Sequence, residues 1–390
     1  MTYKFIHTGD THIGNVYKDK QRNDDIKRAF SELIDYAIDS KVDFIVHSGD
    51  VFDSGSPDIN DLLFVTDQLH RLKEENIKFF TVPGSHDVGV GEELSIVDLF
   101  DRNGLLINLN SNKYMKKEGD RIHLSGITYL NAFIAGVRGK RSRVEDEIFK
   151  VLDVDIDQNA WIKIFIFHHT ISALGETFKD LDTENLPKGF DYYAAGHWHG
   201  HRDNIPYNNG IIQYPGSTEY CDEKEIVSNP NRGFYVIEYS ESGISSIRYQ
   251  LLKTREKEII YINADGKDQK QLKSEALSKF KQNDGKLLVV IVEGKMNGKR
   301  TELDIQDIKS NAKALGYSYV SVNISRLSDS DSENISIKSE NISDIEDEFL
   351  SAKGYSKKEV EFAHLIIDSV ENGKELVGIK QKAVDIYDNQ

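Results

Sequence analysis

The chain has very little cysteine, since Cys221 is the only one among 390 residues. An intrachain disulfide is therefore excluded, and the composition is typical of a protein from a reducing compartment. We expect Cys221 to be an ordinary core residue.

Long apolar segments are also missing. No apolar run approaches the roughly 20 residues that a membrane-spanning helix needs. The N-terminal stretch MTYKFIHTGD lacks the apolar region of a secretory signal and leads directly into polar residues. The sequence therefore predicts a cytoplasmic protein without membrane segments.

A net positive charge is absent as well, because the formal net charge is −16. Phosphate backbones attract lysine and arginine, so this charge argues at first sight against a nucleic-acid partner. The charge is unevenly distributed, however: residues 253–330 carry 15 lysines and arginines against 11 acidic residues. A second basic cluster lies in GVRGKRSR, either as a solvated surface turn or as a phosphate-binding loop, and consists of Arg138, Lys140, Arg141 and Arg143.

The order of apolar runs predicts an α/β protein of several units. Over residues 1–252, short β-rich runs alternate with helical stretches such as 23–40 and 59–75. Residues 253–325 repeat this alternation as a compact second unit. Residues 326–342 are rich in Ser, Asp and Asn and predict a linker.

Two helices are predicted in the remaining segment, residues 343–390. Ser343 with Glu346, and Ser356 with Glu359, fit the Ser-x-x-Glu capping box. The apolar residues that follow cover more than one helical face, so we expect them to dock on this protein or on a partner. The anchors at helical spacing are Val360, Ala363, Ile367 and Val370.

Aspartate and histidine follow the apolar runs of residues 1–252. The segments are FIHTGDTH, FIVHSGDVFD, FFTVPGSHD, IFIFHHT and YYAAGHWHGH. Each motif alone is weak, because Asp and His are common in turns. Five strands that deliver such residues to one sheet edge are, however, the pattern of a two-metal site, in which a carboxylate bridges two cations.

The ordered motifs GDTH, GDVFD, GSHD, FHH and GHWH resemble the calcineurin-like metallophosphoesterase superfamily. Within it, FIHTGDTHIGNVY, VDFIVHSGDVFD and YYAAGHWHGH with IIQYPGSTEY are similar to the SbcD family of DNA double-strand-break repair nucleases, especially its archaeal members. The resemblance implies a four-layer αββα sandwich with a small α/β capping domain and C-terminal helices.

The resemblance also implies the ligands of two manganese ions per chain, although ligands of these types suit iron or zinc about equally. The first ion would be held by Asp10, His12, Asp50 and His199, and the second by Asp50, Ser85, His168 and His197. His86 would be the general acid, since imidazole exchanges protons near neutral pH.

Two positions depart from the family pattern. Ser85 stands where the family usually has Asn, which predicts a weaker second metal site. Asp53 stands where some relatives have a histidine, and we take it as an auxiliary catalytic residue.

The function implied by the resemblance is that of a manganese-dependent DNA nuclease with 3′-to-5′ double-strand exonuclease and single-strand endonuclease activity. It would act on DNA ends as a homodimer built on helices 59–75 and 93–100, together with an SbcC-type ABC ATPase, in the cytoplasm at the nucleoid. Two alternatives stay open. One is a phosphodiesterase or phosphatase for small phosphoesters, and the other is a DNA-end-binding scaffold with weakened catalysis.

Overall fold

The structure is a computed structural model, in which strands are numbered β1 to β18 and helices α1 to α7 in chain order. It describes residues 1–15, 21–89, 94–139, 148–175, 177, 179–228, 230–330, 350, 355–356, 358–360 and 362–363. The predicted capping box at Ser343 and the candidate residues Lys140, Arg141, Arg143, Ile367 and Val370 lie outside them. No helix within the described ranges is long and apolar enough to span a bilayer.

The first sheet has six strands in the order β15-β14-β1-β2-β3-β4. Their bounds are β1 Tyr3–Thr8, β2 Phe44–His47, β3 Lys78–Thr81, β4 Ile107–Asn108, β14 Gly233–Ser240 and β15 Gly243–Leu251. Strands β1 to β4 are parallel, and β14 and β15 extend the sheet as an antiparallel pair. The carboxyl ends of β1, β2 and β3 consequently meet at one edge.

The second sheet has the order β12-β13-β11-β10-β8-β7. Its strands are β7 Ile127–Tyr129, β8 Ala132–Val137, β10 Ile162–His168, β11 Tyr192–Gly196, β12 Arg202–Tyr207 and β13 Gly210–Tyr214. The four inner strands are parallel, whereas the two edge strands are antiparallel to their neighbours. Strands β10 and β11 are neighbours and therefore end side by side.

The two sheets pack face to face over an aromatic and aliphatic core. Phe5 of the first sheet meets Tyr192 of the second edge-on, with ring centroids 5.6 Å apart. Helices α1 (Gln21–Asp39), α2 (Ile59–Glu74) and α3 (Ile96–Arg102) cover the outer face of the first sheet. This layered arrangement confirms the predicted α/β metallophosphoesterase class.

The outer face of the second sheet is covered by a short helix and a small sheet. These are α4 (Ile148–Val151), and β5 (Met115–Glu118), β6 (Arg121–Ser125) and β9 (Leu152–Asp155). The apolar run over residues 122–127 predicts one strand from the sequence. The structure divides this run instead: β6 ends at Ser125, and β7 begins at Ile127 in the large sheet.

Helix boundaries follow local capping chemistry. Helix α2 begins after Asp58, whose carboxylate accepts the N–H of Asn60 at 2.8 Å. Helix α3 starts at Ile96 because Ser95 and Asp98 form a capping box there. It therefore begins three residues later than the predicted range 93–100 and ends two residues later.

Residues 257–328 form a three-stranded parallel sheet with two helices. Its elements are β16 (Lys257–Asn263), α6 (Gln269–Lys279), β17 (Leu287–Lys295), α7 (Ile305–Ala314) and β18 (Tyr319–Ser328). Strand β18 ends at Ser328, so the first three residues of the predicted linker, 326–328, belong to the strand.

This small sheet packs against the first unit next to the candidate site. Helix α5 (Glu223–Ser228) contributes Ile226 to an apolar cluster with Leu287 and Tyr319. Asn323 donates to the carboxylate of Glu223 at 2.5 Å. On the other side, Arg255 pairs with Asp25 of α1 at 2.5 Å.

Candidate metal centre

The ends of five parallel strands bring the predicted ligands together. Asp10 and His12 follow β1, Asp50 follows β2, Ser85 and His86 follow β3, His168 ends β10, and His197 and His199 follow β11. The atoms are close: Nε2 of His168 lies 3.0 Å from Oδ2 of Asp50 and 3.2 Å from Nδ1 of His197. Nε2 of His12 lies 3.0 Å from Nε2 of His199. The convergence predicted from the sequence is present.

Asp50 occupies the middle of this cluster. Its Oδ2 lies 3.0 Å from His168 and 3.7 Å from His12, which belong to the two opposite halves of the site. Its Oδ1 accepts the backbone N–H of His86 at 2.7 Å. Two groups with metal-ligand spacing share this carboxylate, one with His12 and His86 and one with His168 and His197. Asp50 is therefore the carboxylate that the two groups have in common.

Each of the four histidines has one ring nitrogen in the cluster and the other hydrogen-bonded outside it. The outer partners are the Asp53 carboxylate for His12 (3.1 Å), the Ser48 carbonyl for His168 (2.7 Å), the Asp180 carboxylate for His197 (3.3 Å) and the Glu225 carboxylate for His199 (2.6 Å). A carbonyl or carboxylate oxygen only accepts, so the outer nitrogen carries the proton. In a neutral imidazole the inner nitrogen then presents a lone pair, as metal-binding histidines do. The donor set fits divalent cations.

Asp50 and His168 each stabilise the charged form of the other. Burial favours the neutral form of His168, but the adjacent Asp50 carboxylate outweighs it and raises the pKa of His168 to about 9. Burial likewise opposes ionisation of Asp50, yet His168 holds the pKa of Asp50 well below its usual range. A divalent cation would take the place of the imidazole proton next to this carboxylate, so metal binding releases protons.

The backbone adopts costly conformations at the ligands. Asp10, His12, Asp50 and His197 all have positive φ angles, of 50°, 47°, 55° and 80°. Such strain in non-glycine residues clusters at functional sites, where the surrounding structure maintains it. Gly84 is required nearby, because a Cβ there would lie 2.1 Å from Oδ1 of Asp50.

Ser85 and Asp53 reach the cluster differently from the histidines. The Ser85 hydroxyl donates to Oδ2 of Asp50 at 3.3 Å, so it touches the bridging carboxylate. Asp53 accepts from Nδ1 of His12 and, through its carbonyl, from Nδ1 of His86 at 2.9 Å. Asp53 thus orients two imidazoles from outside the cluster.

His86 stands at the opening of the site. Its side chain is 48% exposed, and its ring lies edge-on to that of His12 with centroids 4.8 Å apart. Because Nδ1 donates to Asp53, Nε2 is the atom that can exchange a proton with a substrate. A cavity of about 420 Å³, within the usual range for ligand sites, is lined by Asp53, Ser54, Gly55, Ser56, Ser85, His86, Val88 and Gly89.

Several residues that hold the strand ends and the histidines in place were not among the candidates from the sequence. Asp87 is fully buried and accepts the N–H groups of Phe52 and Gly84, both at 2.9 Å, which ties the ends of β2 and β3 together. Its place in the GSHD motif was an available signal. Asp180 and Glu225, the outer partners of His197 and His199, come from segments that carry no motif.

The other candidate residues are described only in part. Arg138 is half-buried, and its backbone N–H donates to Asn110 at 3.0 Å. Near the C-terminus, Val360 is buried and Ala363 is half-buried. The capping box at Ser356 is present, since its backbone N–H donates to Glu359 at 2.7 Å and its hydroxyl accepts the Glu359 N–H at 3.4 Å.

The packed sheets and the carboxylate and imidazole cluster between their strand ends define a metallophosphoesterase. In agreement with this, residues 3–201 match the calcineurin-like phosphoesterase family, and the chain belongs to that family.

Archaeal relatives named DNA double-strand break repair protein Mre11 are similar over most of the chain. The protein from Methanocaldococcus jannaschii is 29% identical over 291 residues, which cover 73% of this chain and 75% of the relative. The Saccharolobus solfataricus protein is 29% identical over 310 residues, 75% of each chain. The Sulfolobus acidocaldarius protein is 28% identical over 72% of this chain and 71% of its own length. The resemblance stated from the motifs is confirmed.

Proposed function

We propose that this protein is a two-metal DNA nuclease of double-strand-break repair. The observation that carries the proposal is the cluster of Asp50 and four histidines, each histidine with its outer nitrogen hydrogen-bonded and its inner nitrogen facing the cluster. Divalent cations bound there supply Lewis-acid stabilisation of the charge that develops when a phosphodiester is hydrolysed. Manganese is the proposed ion, on the basis of the family resemblance.

The residues of the cluster would have separate roles in metal binding, proton transfer and positioning. Asp10, His12, Asp50 and His199 hold the first ion, and Asp50, Ser85, His168 and His197 hold the second. His86, with Nε2 at the opening of the site, donates a proton to the leaving oxygen. Asp53 keeps His12 and His86 in position, because it bonds Nδ1 of both rings.

Two observations favour DNA over a small phosphoester. The similar archaeal proteins are named for DNA double-strand break repair. In addition, the basic unit formed by residues 257–328 packs against the first domain through Ile226 and Glu223, close to Glu225 and the cluster. A hydrolase for small esters has little need of such a unit.

The substrate is tested by incubating the protein and manganese with a 5′-labelled blunt duplex, a labelled single-stranded circle and a chromogenic phosphodiester. Our proposal predicts progressive shortening of the duplex from its 3′ ends and nicking of the circle, both lost in Asp50→Asn. Cleavage of the chromogenic ester alone would support the phosphodiesterase alternative. Retention of DNA without cleavage would support the scaffold alternative.

The basic loop would contact DNA backbone without reading sequence. Neutralising Arg138, Lys140, Arg141 and Arg143 together should weaken binding and flatten its salt dependence, by about 0.9 in the log–log slope for each lost phosphate contact. An unchanged slope would exclude the loop from the interface.

A homodimer is proposed through α2 and α3. Leu63 on α2 and Leu99 on α3 are 55% and 50% exposed. A cavity of about 300 Å³ lies between the two helices and is lined by Leu62, Thr66, His70, Leu99, Phe100, Asn103 and Leu105. Light scattering at micromolar concentration should report about twice the monomer mass. The monomer mass alone would contradict the dimer.

The C-terminal segment would bind the coiled coil of an SbcC-type ABC ATPase through Val360, Ala363, Ile367 and Val370, which have the spacing of helix-in-groove anchors. Truncation after Ser330 should preserve nuclease chemistry but lose the ATPase in a pull-down. Continued co-purification would show that the partner binds elsewhere. We also propose that the protein is located in the cytoplasm, at the nucleoid.

A further inference from the structure

The single cysteine of the chain lies beside the first metal position. The Sγ of Cys221 and one ring nitrogen each of His12 and His199 all lie within 4.8 Å of one another. Cys221 is buried, with 7% of its surface exposed. Cys221 is thus a buried core residue, as expected, and it also lies next to two imidazoles of the candidate site.

The position of Cys221 is fixed by the same carboxylate that orients His199. Oε2 of Glu225 accepts the backbone N–H of Cys221 at 2.8 Å, and Oε1 accepts from Nδ1 of His199 at 2.6 Å. Arg232, whose side chain is fully buried, pairs with the same Glu225. The thiol itself makes a long contact to the Glu219 carbonyl at 3.5 Å. The Cys221 backbone is thus held by Glu225, and its thiol lies next to the His199 imidazole as well as the Glu219 carbonyl.

The imidazoles of His12 and His199, which lie next to this sulfur, could hold a cation together with it. Nε2 of His12 and Nε2 of His199 lie 3.0 Å apart, and both rings have their Nδ1 bonded to a carboxylate. Two imidazole nitrogens and a thiolate form a donor set that favours zinc and other thiophilic cations over manganese.

We propose that Cys221 is an additional ligand of the first metal position and raises the affinity of this position for a thiophilic divalent cation such as zinc or cadmium. In this reaction the metal–sulfur bond forms as the S–H bond breaks, and the proton leaves to solvent. The proposal rests on the metal centre of the proposed function, and it adds a ligand and a cation class to it.

The geometry requires only a small adjustment. Ligand atoms on one tetrahedral zinc, with bonds of about 2.0–2.3 Å, lie roughly 3.3–3.7 Å apart. The present spacings are at most 4.8 Å, so the ligand atoms would have to approach one another by on the order of 1 Å. The backbone hydrogen bond to Glu225 can remain in place, because it does not involve Sγ.

The test uses cadmium, whose bond to sulfur gives an ultraviolet charge-transfer band. Wild-type protein, Cys221→Ser and Cys221→Ala are titrated with cadmium and, separately, with manganese by calorimetry. We expect the band in the wild type only, and cadmium affinity at least tenfold lower in both variants, equivalent to about 1.4 kcal/mol. Manganese affinity should change less than threefold. Since the chain has no other cysteine, the band reports on Cys221 alone.

The outcomes separate the two proposals. Cadmium binding without the band, or with equal affinity in all three proteins, would overturn ligation by Cys221 and leave the metal centre intact. Failure of the wild type to bind either cation would overturn the metal centre and this proposal together. Circular dichroism of the two variants checks that they fold, and the serine variant keeps a group able to donate to the Glu219 carbonyl.

Discussion

Nε2 of His12 and Nε2 of His199 face each other at 3.0 Å, although they come from strands in different sheets. The Nδ1 atoms of both rings are hydrogen-bonded to carboxylates, of Asp53 and Glu225 respectively. Burial opposes a charge on His199, but its contacts with Cys221 and Glu225 outweigh burial and raise the pKa of His199. A proton on Nε2 of His199 can therefore join the two rings, and a shared cation would take its place. We interpret the pair as the centre of the first metal position for this reason.

The carboxylates outside the cluster should control metal affinity. Removing the charge of such partners typically costs 10–100-fold in affinity. Asp180→Asn should weaken the second ion, because Asp180 orients His197, and Glu225→Gln should weaken the first, because Glu225 orients His199. Calorimetric titration with manganese measures both. Asp182→Asn is the matched control, since Asp182 lies two residues further along the chain and pairs with exposed Lys179 at 2.8 Å. Equal affinity in Asp180→Asn and this control would contradict the assigned role.

His86→Ala should lose cleavage while metal and DNA binding persist. General acid catalysis is typically worth about 10²–10⁴-fold in rate, and the proposed role of His86 is proton donation to the leaving oxygen. Single-turnover cleavage and calorimetry are measured side by side, with exposed His70→Ala as the control. Near-wild-type rates would remove His86 from the mechanism. Loss of manganese binding in His86→Ala would instead identify His86 as a metal ligand. One of its ring nitrogens lies within 4.8 Å of possible ligand atoms of His12 and Asp50.

Ser85→Asn should lower the manganese concentration needed for activity. The serine hydroxyl is shorter than a carboxamide and already donates to Asp50, whereas a carbonyl oxygen is the better neutral ligand for a hard cation. A tenfold shift in the activating concentration corresponds to about 1.4 kcal/mol. Activity and metal content are titrated together in both proteins. An unaltered or higher manganese requirement would show that serine is no handicap here.

Acid should destabilise the fold through buried histidines. Burial, together with the charge of His47, lowers the pKa of His7 to about 3, whereas the unfolded chain titrates near 6.5. Below pH 6.5 the unfolded chain therefore binds a proton that the folded chain does not, and stability falls by up to about 1.4 kcal/mol per pH unit for this group. Urea unfolding at pH 7.5, 6.5 and 5.5 should show a smaller loss in His7→Gln than in wild type. An identical loss in both would contradict this account, and exposed His70→Gln serves as the control.

Much of the fold could be predicted from apolar runs. The apolar residues that open FIHTGDTH, FIVHSGDVFD, IFIFHHT and YYAAGHWHGH lie in β1, β2, β10 and β11, as expected, because buried parallel strands have continuous apolar sequences. Strands β14 and β15 were not predicted. Their pairing next to β1 joins residues more than 200 positions apart, which local patterns do not reveal.

The convergence of the aspartates and histidines could be predicted because their motifs follow the strands directly. The carboxylates that hydrogen-bond the outer ring nitrogens of these histidines could not be predicted. Asp180 reaches His197 from a loop, and Glu225 reaches His199 from a short helix, so their roles depend on tertiary contacts alone. Cys221 is buried as predicted, but its proximity to His12 could not be predicted, since nothing in its neighbours in sequence indicates His12.

The central claim is a pair of cations bridged by Asp50, and anomalous diffraction from crystals grown with manganese tests it most directly. Our account predicts two anomalous peaks about 3.5–4 Å apart, with Asp50 between them, His12 and His199 at one and His168 and His197 at the other. Asp50→Asn crystals should lose at least one peak. A single peak outside this cluster, or two peaks that Asp50 does not bridge, would contradict the account.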